Sequence, residues 1–204
     1  MPANRKAGRE EIIKAALAVL RRDGFEAVNA RSVAKELGCS TQPIYHSFRN
    51  MEDLKAELTA KAAEAHAERV RAFLSRNDGS HSHYCDYGLG FVRFAEQEKQ
   101  LFRWLYLKNT GNEPRQTDVL LPEILRTISE EYGYDEATAR KLHSDMVFFA
   151  YGLAILANTG GLRLSEEEIV LAFQREFLAL SQLYEPPPGQ PSLTDEGNST
   201  QKSV

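Results

Sequence analysis

Two cysteines, Cys39 and Cys85, are all that the 204 residues contain, too few for a disulfide framework. Long apolar runs are missing too. The longest, Met146 to Ala157, falls well short of the roughly 20 residues that span a bilayer. Near the N-terminus Arg5, Lys6 and Arg9 precede an apolar stretch. That stretch is broken by Lys14, runs into Arg21-Arg22-Asp23 and has no small-residue cleavage pattern, so it does not read as a signal peptide. The chain is therefore expected to be cytoplasmic, with no membrane partner. No segment alternates with the period of a strand, and no internal repeat is visible.

Reactive chemistry is equally sparse. No phosphate-binding loop or nucleophile–base pattern stands out, and acidic clusters such as Glu166-Glu167-Glu168 sit where helices begin and read as caps. The chain is not expected to be an enzyme; an all-α small-molecule enzyme would need a nucleophile or paired carboxylates in a pocket. His81, His83, Cys85 and Asp86 are of zinc-binding types, but residues two apart on a helix do not share a face. No metal and no cofactor are expected. Cys39 lies just before a helix cap and reads as packed rather than redox-active.

What the sequence does have is helical period and an uneven charge. Apolar residues make up 42% of the chain, enough to bury a core. Residues 1–50 carry nine Lys/Arg against five Asp/Glu, whereas the remainder carries sixteen against twenty-four. A basic end on an acidic body points to an anionic partner at that end, nucleic acid first. Ile13, Ala16, Leu17 and Leu20 recur at helical spacing and Gly24 follows them. Short helices are predicted at about 30–37 and 41–48, and a long one from Met51 to about Leu74. Further helices are expected around Leu89–Phe94, over Leu101–Leu107 and over Val119–Tyr132. Asp135 caps a long one that ends at Gly160-Gly161, and Ser165 with Glu168 forms a capping box for the last. Asn77 to Ser80 and Asn109 to Pro114 read as loops. Residues 185–204, rich in Pro, Gly, Ser and Thr, are expected to be disordered.

Residues 24–58 carry the most specific pattern. Asn29 is a good N-cap, Ala34 is small enough for a close helix crossing, and Gly38 stands where a left-handed C-cap is needed. Ser40 can cap the next helix only two residues later, so the two helices must cross steeply, as in a helix-turn-helix. In the second helix Ile44 and Phe48 face the core, and Pro43 falls in the first turn, where its missing N–H costs little. The other face presents Thr41, Gln42, Tyr45 and His46. Gln pairs with adenine, Thr touches a thymine methyl, and Tyr suits a phosphate oxygen.

These residues, with Ile12 to Leu17, Gly24-Phe25, Val33-Ala34, Leu37 to Ser40, Ile44 to Phe48 and Leu54, resemble the DNA-binding domain of the TetR/AcrR family of transcriptional regulators. The resemblance covers about residues 9–58. It implies an all-α homodimer: an N-terminal three-helix helix-turn-helix domain (1–50), a C-terminal helical ligand-binding and dimerisation domain (51–184), and the tail (185–204). The implied function is that of a ligand-responsive regulator, a repressor by family habit, which binds a palindromic operator in double-stranded DNA and answers to an unidentified small-molecule effector. Its DNA contacts would be Asn29, Arg31, Ser40, Thr41, Gln42, Tyr45, His46, Arg49 and Lys55. Met51 stands where the family often has a phosphate-binding lysine, a role that Arg49 or Lys55 would have to fill. The competing reading is a helical adaptor that has lost DNA binding.

The remaining body has no comparable motif. The apolar helix around Phe148 to Leu153 and the stripe Ile169, Phe173, Phe177, Leu180 and Tyr184 would build either an internal core or a four-helix dimer interface. Aromatic side chains at Phe91, Phe94, Phe102, Trp104, Tyr106, Phe148 and Tyr151 are candidates for an apolar effector pocket.

Overall fold

The computed structural model describes residues 7–76, 79–108 and 119–184. The expected disorder of 185–204, the loop at 109–114 and the Asn77-Asp78 step lie outside those residues. Among the described residues nine α-helices follow in order: α1 (Arg9–Asp23), α2 (Ala30–Leu37), α3 (Gln42–Ser47), α4 (Met51–Leu74), α5 (His83–Gln97), α6 (Lys99–Phe102), α7 (Leu121–Tyr132), α8 (Glu136–Thr159) and α9 (Glu166–Ser181). A 3₁₀ turn, Phe25–Ala27, follows α1, and α6 runs on into a π-helical turn, Arg103–Leu107. There is no strand among the described residues.

Local chemistry accounts for most of the helix ends. Asn29 Oδ1 accepts from the amides of Arg31 and Ser32 at 3.0 and 3.1 Å, and the Asn29 amide donates to Ser32 Oγ. Gly38 is left-handed (φ 67°) and turns the chain so that the Cys39 amide reaches the Ala34 carbonyl at 3.0 Å. Asp135 accepts from the Thr138 amide at 2.8 Å, and Ser165 and Glu168 cap α9 reciprocally. The helix predicted from Val119 begins at Leu121, with Pro122 in its first turn, and α9 ends at Ser181.

The chain forms two compact units that do not follow chain order. Of the described residues, the first joins 7–69 to 94–108 and 119, and the second joins 70–76 and 79–93 to 120–184, so α4 and α5 each contribute to both. The first unit buries Ile12, Leu20, Val33, Ile44, Phe48, Leu54 and Leu58, with Phe94, Leu101 and Phe102 from the later segment. The second buries Leu89, Ile128, Leu142, Met146, Ile169, Phe173 and Phe177. In this second unit α5 passes so close to α9 that a Cβ on Gly88 would meet the Phe173 ring at 2.6 Å.

Candidate nucleic-acid interface

The α2–turn–α3 segment presents one polar face because the other is used for packing. Ile44 is 1% and Phe48 2% exposed. Helical spacing then turns Gln42, Tyr45 and His46 outward, and all three are exposed. Tyr45 is open to 57%, far more than packing requires of a ring that size. Thr41 is half-buried and makes no side-chain cap to α3; Ser40, Arg31 and Arg49 are exposed. Asn29 is exposed too, but its side chain is committed to capping α2 and to the Ala27 carbonyl. These residues lie on one continuous segment within the first unit.

Lys55 behaves differently. Its ammonium pairs with Glu52 at 3.1 Å and sits 5.1 Å from the centroid of the Phe25 ring, with 22% of the side chain exposed. Any phosphate contact by Lys55 has to compete with those partners. Met51, in the first turn of α4, is half-buried.

The end of α3 is gripped by a residue that sequence reasoning passed over. Arg9, at the start of α1, donates through Nη1 to the Ser47 carbonyl at 2.6 Å and through Nε to Glu57 Oε2 at 2.6 Å. Its Nη2 lies 4.0 Å from Asp53 Oδ1, and its guanidinium carbon lies 4.2 Å from the centroid of Phe48. Asp53 in turn accepts from the Arg49 amide. Arg22 ties α1 to α2 through Glu36 at 2.8 Å. Its contact with Asp23, and after it the Glu36 pairing, raise the guanidinium's pKa, and Arg22 lowers that of Asp23.

The aromatic candidates for an effector site divide between the units. In the first, Phe94 and Trp104 are buried, and Tyr106 is half-buried. The Tyr106 hydroxyl is hydrogen-bonded to Nδ1 of His66 at 3.0 Å, and the Phe94 ring packs on His66 at 4.6 Å. Phe102, fully buried, packs on Tyr106 at 5.2 Å. Burial pushes His66 down to about 4, so it is neutral. Trp104 packs at a tilt on Phe25, with ring centroids 4.2 Å apart, and the Lys108 ammonium lies 3.9 Å from the Phe25 centroid. In the second unit Phe91 and Tyr151 pack at 5.4 Å. Phe148 is 79% exposed. His143, which no motif signalled, is hydrogen-bonded to the Tyr84 hydroxyl at 3.1 Å; burial, with Arg140 adding to it, holds its pKa at about 4. Histidines inside long helices give no sequence signal of this kind, since their partners come from distant segments.

The metal-type residues are spent on other contacts. His81 Nε2 pairs with buried Asp86 at 2.8 Å, His83 pairs with Glu131, and Cys85 is buried. No group of three or more His, Cys, Asp or Glu placed to hold a metal is found among the described residues. None of the described helices is long and apolar enough to cross a membrane.

On α8 and α9 a second kind of surface is left open. Phe148, Ile155 and Leu156, and Leu171 and Leu178, are all exposed apolar side chains at helical spacing. Gly152 lies between the first two and is exposed as well.

Residues 12–58 match the sequence model of a family described as bacterial regulatory proteins, tetR family. A stretch of 72 residues is 36% identical to the HTH-type nicotine-responsive transcriptional repressor HdnoR of Paenarthrobacter nicotinovorans. It covers 35% of this chain and 36% of that relative's own length. Among solved structures, a member of the TetR family from Streptomyces coelicolor A3 superimposes with a TM-score of 0.60 at 21% identity, over 82% of this chain and 96% of the other. FadR of Thermus thermophilus, a TetR family transcriptional repressor in complex with lauroyl-CoA, gives 0.53 at 19% identity, over 90% and 99%. At these identities the structural likeness is one of fold.

Proposed function

We propose, from the match of residues 12–58 to the tetR family of bacterial regulatory proteins, that the chain is a TetR-type repressor that reads a palindromic operator as a homodimer. The carrying observation is α3, where Gln42, Tyr45 and His46 face solvent while Ile44 and Phe48 are buried. Gln42 and His46 would meet base edges and Tyr45 a phosphate, with Asn29, Arg31, Ser40, Thr41, Arg49 and Lys55 as supporting contacts. A regulator of this kind acts in the cytoplasm, where its DNA is.

The homodimer is supported by the exposed stripe of α8 and α9. An isolated Leu on a surface is ordinary, but Phe148, Ile155, Leu156, Leu171 and Leu178 together are costly to leave in water. Two copies meeting there would make a four-helix interface and hold two recognition helices about one DNA turn, roughly 34 Å, apart. Release would come from a small molecule that favours a different spacing, and it acts only by its unequal affinity for the two states. Two of the proteins compared above respond to or hold small organic molecules by their own descriptions. In this chain the aromatic pair Phe91 and Tyr151 is the proposed effector contact in the second unit. Phe94, Trp104 and Tyr106 are the candidates in the first, and Phe148 is shared with the proposed dimer face.

The test is selection of duplexes from a randomised pool by the full chain. Enrichment of an inverted repeat is the expected result. With about three phosphate contacts per subunit, log K against log salt should slope near −5. A folded dimer that enriches no sequence at low salt sinks the proposal. That outcome would favour a helical adaptor without DNA binding, a reading supported by Met51 and by the engagement of Lys55 with Glu52.

A further inference from the structure

We infer that Arg9 is the positioning residue of the recognition helix: it sets the angle at which α3 is held within the first unit, and it does so without touching DNA. The inference rests on the DNA-reading role proposed for α3. A helix of six residues cannot hold itself in water, so its direction is whatever its neighbours impose. Ile44 is the one buried side chain within α3, and Phe48 is buried just past its end, where the backbone is already extended. So few anchors hold the axial rotation of so short a helix loosely, and that rotation decides where Gln42, Tyr45 and His46 point.

Arg9 removes this freedom. Ser47 is the last residue of α3, and its carbonyl has no partner further along the helix because Phe48 departs in extended backbone (φ −130°, ψ 137°). One edge of the Arg9 fork donates to that carbonyl at 2.6 Å. The opposite edge donates to Glu57 on α4 at 2.6 Å, with Asp53 at 4.0 Å. The plane between them lies on the Phe48 ring at 4.2 Å. Three helices, α1, α3 and α4, thereby meet at one rigid planar group. A cation at a helix C-terminus also suits the helix dipole.

A basic residue in the basic N-terminal segment would ordinarily be assigned to a phosphate. Every nitrogen of Arg9 instead has a protein oxygen within 4.0 Å, and two carboxylates offset its charge. Nor is this an ordinary stabilising ion pair. The side chain is 48% exposed, and exposed pairs contribute little to stability. The signature belongs in helix orientation rather than in melting temperature.

The experiment compares the full-length chain with Arg9→Gln, Arg9→Lys and Glu57→Gln. Amide hydrogen exchange on the free proteins comes first. Arg9→Gln should speed exchange about fivefold or more across 42–49, with α5 and α8 unchanged. Unchanged protection there overturns the inference whatever the chain does with DNA. The second readout is affinity for the duplex that the wild-type chain enriches from a randomised pool. Loss of a charge-assisted bond predicts about a tenfold drop for Arg9→Gln, an intermediate one for Arg9→Lys, and no change in salt slope. A slope flattened by about one per subunit marks a phosphate contact and overturns the inference. Glu57→Gln is the sharpest arm. Removing a negative charge should tighten DNA binding by electrostatics alone, whereas loss of the clamp weakens it; tighter binding overturns the inference. If the wild type enriches no sequence, the DNA-reading proposal fails, and hydrogen exchange still decides the clamp.

Discussion

The indole N–H of Trp104 donates to Thr59 Oγ1 at 3.0 Å, and Thr59 donates onward to the Lys55 carbonyl at 2.8 Å. A residue from the later segment is thus bonded to α4, the helix that follows α3, inside the same unit. With the Tyr106–His66 bond, one short π-helical turn holds α4 at two points seven residues apart, on one face. Breaking the first bond has a definite cost. Thr59→Val keeps the shape but leaves a 5% exposed indole without its partner, so stability should fall by about 1–3 kcal/mol in urea unfolding. Trp104 is the chain's one tryptophan, so its emission reports the change directly.

Gly88 and Phe173 define the closest approach in the second unit. Gly88→Ala would press a methyl into a ring that is 3% exposed and has little room to swing. A loss of about 1–3 kcal/mol is expected. Adding Phe173→Leu should recover part of it, and the double-mutant cycle measures how much. Strictly additive losses would contradict the contact.

Acid sensitivity follows from His66. Its pKa is about 4 when folded and near 6.5 when unfolded, so between those values the unfolded state binds more protons. The resulting stability is fully present above about pH 6.5 and is lost as pH falls toward 4. The unfolding free energy from urea titrations should drop over that window, by an amount of order 2–3 kcal/mol. His66→Gln should flatten this pH dependence, with His143 contributing a parallel share.

The proposed dimer face makes its own prediction. Phe148→Asp places a charge where two copies would meet, and sedimentation should show a shift toward monomer. Operator affinity should fall with it, since each half-site then binds alone. A stable dimer in this variant would move the interface elsewhere.

Met51→Lys restores a cation at the start of α4. If that end of the helix faces phosphate, affinity should rise a few-fold and the salt slope steepen by about 0.9 for each added contact. An unchanged slope would mean that α4 begins too far from the backbone.

Much of this was open to reading in the chain itself. Asn29, Gly38, Asp135 and Ser165 act within about four residues of themselves, so caps and helix ends follow from local sequence. The inward turn of Ile44 and Phe48, and hence the outward turn of Gln42, Tyr45 and His46, follows from helical period. What tertiary structure decided is the use to which long and charged side chains are put. Lys55 is a free cation on paper, but Glu52 and the Phe25 ring hold it in the fold. Arg9 reads as one more basic residue until Ser47, Phe48 and Glu57 surround it. Residues 94–108 look like part of the C-terminal body, yet they complete the core of the first unit. Caps and periodicity act over a few residues of one helix. The partners of an arginine fork, a lysine or an indole come from wherever packing brings the chain, a distance in sequence that no local pattern records.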